Sequence, residues 1–296
     1  MPGGGPGSGR AGVGRSLHGP IRGDIAMHST MAVFAQTLRF ARNGMLGYAV
    51  GLAATAYVTV LFFPAVEAGM ADFERLLQSL PPELMGLFGM AGGIDLGTPA
   101  GYLFANLFAF FVPWVLILQA VYLGAHAVAG EEERHTLEQV MAQPISRVDF
   151  FLAKLGAVKF ALAASAVSLF LGTWIGAVQV GMDLDPGKLA AACLSVWTLA
   201  LLFGTVALAI GSAFGRPGLA VGLSTGLAGI SYLWNALVPL AERLEGLADL
   251  SPFYHGVGYG PLEHGFRAAP LLILLGLGLL VAAYGLARFV QRDLGT

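Results

Sequence analysis

The chain has 296 residues, 56% hydrophobic and only 11% charged, with a mean hydropathy of +0.72, whereas about 25% of the residues of a soluble domain are charged. Such a composition indicates a polytopic membrane protein, and a formal net charge of -2 leaves no basic surplus for a nucleic-acid footprint. One cysteine, Cys193, excludes an internal disulfide and any multi-cysteine metal site; in its apolar run it reads as a small packing residue.

Residues 1–30, rich in Gly, Pro, Ser and Arg, lack the apolar core of a secretory signal and are expected to be a disordered cytoplasmic tail, with Met1, Met27 and Met31 all candidate starts. From Met31 to Arg42 the apolar Met31, Phe34, Leu38 and Ala41 recur at helical spacing beside Arg39 and Arg42, which predicts an amphipathic helix at the membrane interface. A membrane-crossing helix needs about 20 mostly apolar residues. Six stretches qualify, at 44–66, 101–128, 150–179, 189–214, 217–240 and 268–290, so the expected fold is all-α with six transmembrane helices over 31–296. Between the first two, residues 67–99 carry apolar Phe73, Leu76, Leu77 and Leu80, then Pro81-Pro82, then Leu84, Met85, Leu87 and Phe88, the pattern of two short amphipathic helices broken at the prolines. The fifth-to-sixth link contains Leu250-Ser251-Pro252-Phe253-Tyr254-His255, whose adjacent aromatics suit an interfacial belt.

Charge sets the orientation. One face collects Arg10, Arg15, Arg22, Arg39, Arg42, Arg134, Arg147, Lys154, Lys159, Arg216, Arg288 and Arg292, and the other only Arg75, Lys188, Arg243 and Arg267. The positive-inside rule makes the first face cytoplasmic and puts both termini there. Small residues recur every four positions at Gly47 and Gly51, at Gly172 and Gly176, and at Gly218, Gly222 and Gly226, which permits close helix approach within the chain or at a subunit seam. Ionisable residues deep in the spans are nearly absent, which weakens an ion-pump reading; Lys159 is expected to snorkel to the cytoplasmic surface.

Catalytic motifs fare poorly. Gly222-Leu223-Ser224-Thr225-Gly226 has the Gly-x-Ser-x-Gly form of a nucleophile elbow, which would make an intramembrane serine hydrolase the enzyme alternative. A serine nucleophile needs a base within hydrogen-bond reach, yet the span 268–290 holds no histidine, and Ser224 is better explained by helix packing and a bond back to its own helix. Gly181 to Gly187-Lys188-Leu189 has the wrong spacing for a phosphate-binding loop. His18, His28, His126, His135, His255 and His264 lack the close spacing of zinc helix motifs. No cofactor or metal is expected in this chain.

The polar segment 129–149 lies between two spans. Leu137, Val140 and Met141 form a small apolar face while Glu131, Glu132, Glu133, Arg134 and Glu138 stay polar, so a short helix is predicted; Pro144 interrupts it, and Ser146 or Asp149 caps the next span. A plain solvated connector, or a sensor recruiting a signalling partner, fits that pattern as well. Glu132-Glu133-Arg134-His135-Thr136-Leu137-Glu138, then Gln143-Pro144-Ile145-Ser146-Arg147 and Lys154, resembles the segment between the second and third spans of type 2 ABC transporter permeases, which often reads Glu-Glu, one or two residues, Gly-Thr-Leu-Glu, then Pro-Val-Ser-Arg and Lys. His135 stands where the family commonly has Gly, which puts a tight turn there in question, and Ile145 stands where Val is common. The outer segment from Leu84 to Thr98, the Leu-Ser-Pro-Phe-Tyr link, the six spans and the terminal Arg292-Asp293-Leu294 extend the resemblance more weakly.

The resemblance implies the permease subunit of an ATP-driven exporter. Two such subunits, expected here as a homodimer, would each pair with a separate ABC ATPase that holds the ATP and Mg, and would carry a small molecule, hydrophobic or amphiphilic, across the lipid bilayer. Segment 129–149 would then be the coupling helix. Leu137, Val140 and Met141 would anchor it in the ATPase, Glu131, Glu132, Glu133, Arg134, Glu138 and Arg147 would set electrostatic register, and Thr136, Pro144 and Ser146 would complete the set of coupling residues.

Overall fold

The computed structural model describes residues 20–69, 97–142, 145–237 and 245–292. Its long helices are α1 (Pro20–Leu61), α3 (Phe111–Glu133), α5 (Arg147–Val180), α6 (Pro186–Phe214), α7 (Pro217–Leu237) and α9 (Ala268–Gln291); the short ones are α2 (Pro99–Leu103), α4 (Leu137–Met141) and α8 (Pro261–His264). No strand occurs among the described residues, and the protein is an all-α polytopic membrane protein. Five described helices, Thr30–Gly69, Pro99–Glu133, Arg147–Val180, Pro186–Phe214 and Ala268–Gln291, are long and apolar enough to cross a membrane. The remaining expected span, 217–240, overlaps α7, whose 21 described residues extend roughly 32 Å at about 1.5 Å per residue but dilute their leucines with Gly, Ser and Thr.

Local chemistry explains the boundaries. Thr98 caps α2, its hydroxyl accepting from the Gly101 amide at 3.2 Å. The Asp185 carboxylate caps α6 by accepting from the amides of Gly187 and Lys188 at 2.7 and 3.3 Å, with Pro186 in the first turn. Gly181 and Gly215 end α5 and α6 in left-handed conformations, φ 69° and 65°.

Two expectations change in the structure. The interfacial helix over 31–42 is no separate element: α1 runs unbroken from Pro20 through the first span, so residues 20–30 of the expected tail are helical as well. Val33, outside the expected apolar set, is buried and Phe34 packs against the same core, while Met31 is exposed along with Arg39 and Arg42, so only part of the expected face meets the bundle. Phe253 is core rather than belt; it is fully buried against Trp114, Phe203 and Tyr232, with ring centroids 5.4–6.2 Å apart. The paired helices expected at 67–99 lie outside the described residues over 70–96, as do 1–19, Gln143, Pro144, 238–244 and 293–296.

Three seams hold the bundle, and each depends on a missing side chain. Phe34 lies beside Gly156, Ala53 beside Gly172 and Val60 beside Gly176, so α1 and α5 pack parallel; a Cβ on Gly172 would sit 2.3 Å from the Ala53 carbonyl oxygen. On the α3–α6 seam a Cβ at Gly124 would meet the Gly204 carbonyl oxygen at 2.1 Å, and on the α6–α9 seam Gly285 abuts Ala209. The expectation of close helix approach therefore holds within the chain for Gly172 and Gly176. Gly47, Gly51, Gly218, Gly222 and Gly226 instead face open space. Replacing Gly172 with Ala is expected to cost about 1–3 kcal/mol through forced separation of α1 and α5, and Gly222→Ala to gain up to about 1 kcal/mol in helix propensity. Thermal unfolding of the two purified variants in one detergent would show this, and equal melting temperatures would refute the assigned seam.

Candidate functional site

The polar segment forms a strap between α3 and α5. α3 ends in a Schellman turn: the Thr136 amide donates to the Glu131 carbonyl at 2.9 Å and the His135 amide to the Glu132 carbonyl at 3.0 Å. His135 occupies the left-handed position at φ 55°, alone among the described non-glycine residues. The tight turn that glycine would favour is therefore kept with a histidine in it. The Thr136 hydroxyl adds a bond to the Glu131 carbonyl at 3.1 Å, α4 follows, and α5 opens on Ser146, whose hydroxyl accepts from the Asp149 amide at 3.0 Å and donates to its carboxylate at 2.6 Å.

Charged side chains tie this strap to the bundle. Glu131, expected to face a partner, instead accepts from the Lys154 ammonium. Lys154 is 4% exposed, donates also to the Thr37 hydroxyl of α1 at 3.0 Å, and lies 5.2 Å from the centre of the Phe150 ring. One buried ammonium thus joins α1, α3 and α5. Both oxygens of the Glu132 carboxylate accept from Arg292, at the end of α9, and Arg292 also donates to the Ser212 carbonyl of α6 at 2.9 Å. Gly215 leaves room for this carboxylate, since a Cβ there would lie 2.6 Å from it. Arg147 donates to the carbonyls of Phe289, Val290 and Arg292 at 3.3, 3.0 and 2.6 Å, capping the C-terminal end of α9.

The apolar face of α4 turns inward. Leu137 is 4% exposed and joins Val33, Val128, Phe150, Phe151, Leu208 and Phe289 in a core at this end of the bundle, with Val140 and Met141 packed against it. The three residues expected to anchor a partner are used within the chain, because a five-residue helix in so short a strap can bury them only against the helix ends beneath it. What remains exposed is mostly polar, Glu133, Arg134, His135, Glu138, Gln139 and Ser146, with Ala142 and Val148 beside them. Ile145 is half-buried beside the same core, and Pro144 is outside the described residues. Of the residues that build this site, Thr37 and Ser212 carried no signal in the sequence. Lys154 and Arg292 did, through the motif and the terminal Arg-Asp-Leu.

The other candidates separate from this site. Ser224 is fully buried and its hydroxyl has no hydrogen-bond partner, so neither a base nor the expected bond back to its own helix is present. No group of three metal-ligating side chains occurs among the described residues. Lys159 is exposed, with its ammonium 5.9 Å from the Trp197 ring centre, and Cys193 is a buried free thiol.

A family model described as ABC-2 family transporter protein matches residues 49–294, most of the chain. The chain belongs to this family. It is therefore a membrane permease of an ABC transporter, a non-catalytic subunit of a kind that associates with an ABC ATPase. No curated protein matches it. For this ABC-2 permease the strap is the most strongly organised polar feature among the described residues.

Breaking one side of the Lys154–Glu131 pair, as in Lys154→Met, leaves a carboxylate in a half-buried site and is expected to cost about 3–5 kcal/mol. Lys154→Met with Glu131→Leu should recover most of that loss, and His135→Gly should gain about 1 kcal/mol by relieving the left-handed conformation. Chemical denaturation of the three proteins measures each; a double variant no better than Lys154→Met would remove the pair from the account.

Proposed function

We propose that this permease is the transmembrane half of an ATP-driven exporter, and that the strap 129–149 is its coupling element. The observation that carries this reading is the division of the strap into two faces. Its inner face is bolted by Glu131, Glu132, Arg147 and Leu137 to α1, α5, α6 and α9, while its outer face presents exposed Glu133, Arg134, His135, Glu138 and Gln139. A displacement of the outer face is thereby delivered to four membrane helices at once. The partner is an ABC ATPase carrying ATP and Mg. Recognition rests on the mixed-sign rim, with electrostatics fixing register; Leu137, Val140 and Met141 support the strap from beneath. The abundance of Arg and Lys assigned to the strap side, against only Arg75, Lys188, Arg243 and Arg267 on the other, supports a cytoplasmic strap and cytoplasmic termini.

On this reading α7 is a sixth span and a second copy of the permease packs along it. Ala220, Ser224, Ala228 and Ser231 of α7 are buried in the chain, whereas Gly218, Gly222 and Gly226 lie exposed on its opposite side, where a Cβ would meet nothing within 4 Å. That side permits backbone approach by another helix. The cargo route follows the seam between the copies, and the scarcity of charge within the spans favours a hydrophobic or amphiphilic small molecule.

Charge reversal on the rim tests the assignment. Glu138→Lys combined with Glu133→Lys is expected to lower ATPase co-purification and permease-dependent ATP hydrolysis by about tenfold, equivalent to about 1.4 kcal/mol of docking energy, with an unchanged melting temperature. Leu137→Ala should do the reverse, lowering the melting temperature by loss of a buried side chain. Wild-type coupling in the charge-reversed protein would rule out docking through this rim.

A further inference from the structure

The end of the bundle remote from the strap holds a second built site. α9 has 24 residues and reaches the strap at Arg292, so its start at Arg267 lies roughly 36 Å away at about 1.5 Å per residue. There, a cleft of about 510 Å³ opens between the turn 249–259 and the first turn of α9. Its wall includes His255, only 8% exposed. The His255 Nε2 lies 2.8 Å from the Asp249 carbonyl oxygen. A carbonyl only accepts, so Nε2 carries the hydrogen, and in the tautomer this bond selects Nδ1 is the acceptor. Nδ1 is buried and has no partner. The Asp249 carboxylate, exposed at the rim, adds further acceptor oxygens.

The opposite wall is made of donors. Arg267 is exposed and lines the cleft, and no ion pair joins it to Asp249. As the N-cap of α9 it makes no side-chain capping bond, so the amides of Ala268 and Ala269 at the positive end of the helix dipole remain open toward the same space. The Tyr259 hydroxyl is bonded to Ser195 at 2.6 Å, which steadies the turn. A buried acceptor with a carboxylate on one wall and a cation with free amides on the other match a dipolar ligand, not a simple anion. Asp249 would repel an anion, and Nδ1 would have no donor to meet.

We infer that this cleft binds a zwitterionic group carrying an ammonium N–H and a phosphate or other anion. The ammonium lies toward His255 Nδ1 and Asp249, and the anion toward Arg267 and the α9 amides. An aminoethyl phosphate has this chemistry, either as a lipid head group or free in solution. The site lies beside α9, an apolar helix whose face is largely exposed, so a head group can enter with its acyl chains along that helix.

The full chain, reconstituted in vesicles with equal amounts of phosphatidylethanolamine, phosphatidylcholine and phosphatidylglycerol of identical acyl chains, would be transferred to detergent and its retained lipids counted by native mass spectrometry. Phosphatidylethanolamine should be retained about tenfold over phosphatidylcholine, whose trimethylammonium has no N–H, and over phosphatidylglycerol, which has no ammonium. Arg267→Gln and Asp249→Asn, both at exposed positions, should abolish that preference without changing the melting temperature. Calorimetric titration of the lipid-exchanged chain with O-phosphoethanolamine separates the two sources. Heat lost in Arg267→Gln supports the site with a free zwitterion as ligand, and no heat alongside selective retention supports it with the lipid. Retention that is equal for the three lipids or unchanged in both variants, with no Arg267-dependent heat, overturns the inference. None of these readouts involves an ATPase or transport, so the result stands apart from the exporter reading.

Discussion

A buried ammonium cannot be left without a counter-charge, and the position of Lys154 fixes much of what surrounds it. Its partner Glu131 must come from the last turn of α3, and its second acceptor, the Thr37 hydroxyl, from α1. Three helices are thereby held at one axial register by a group costly to move, since sliding any of them would leave an unpaired charge in a low-dielectric site. The glycine seams bring the helices into close contact, and the ion pair adds a directional constraint on their axial register that apolar packing does not supply. Phe150, one turn before Lys154 on α5, adds a ring beside the ammonium and leads into the Phe150, Phe151 and Phe289 cluster that carries the same constraint to α9.

With that register fixed, the strap has little freedom of its own. Its start is pinned by the Schellman turn and Glu131, its middle by Leu137, and its end by Ser146 and Arg147. Glu132 and Arg292 close the remaining side, and Gly215 permits it by giving up its side chain to the carboxylate. Rigid seating is what the proposed coupling role needs. A strap that flexed on its own would absorb a partner's movement, whereas one seated on α1 and on the ends of α5, α6 and α9 passes it on. The left-handed His135 belongs to the same economy: its backbone strain is tolerated because the hydrogen bonds to Glu131 and Glu132 over-determine the turn.

Much of the architecture was legible because it follows from composition. Long apolar runs become helices in a membrane solvent that leaves no other way to satisfy the backbone, and the expected stretches at 101–128, 150–179, 189–214 and 268–290 each fall on a described helix or helix pair. The Ser146 cap was readable for the same reason, being a local matter of side chain and neighbouring amide. Direction was not legible. The periodicity of Leu137, Val140 and Met141 shows an apolar face but not whether it meets another protein or the chain's own helix ends, and only the tertiary arrangement reveals the core of Phe150, Phe151 and Phe289 beneath it. Glu131 was misread as rim for a related reason, since its partner Lys154 lies 23 positions away across a turn. Phe253 looked like an interfacial aromatic because nothing local says that Trp114, Phe203 and Tyr232 converge on it.

The glycines divide into two populations that helix periodicity could not separate. Gly124, Gly172, Gly204 and Gly285 sit where neighbouring backbones or side chains leave no room for a Cβ, so their absence of side chain is explained inside one chain. Gly47, Gly51, Gly218, Gly222 and Gly226 have the four-residue spacing of Gly172 and Gly176 but meet nothing. Glycine in an exposed helix position lowers helix propensity by about 1 kcal/mol relative to alanine, a cost repeated along α7 without any gain from packing in the single chain. The balance changes when a second helix approaches, because the groove such glycines leave is the one feature of α7 that a leucine-rich face would lack. The proposed pairing of two permeases along α7 thus follows from an unexplained local cost, while the seams within the chain show what the same residue achieves once a neighbour is present.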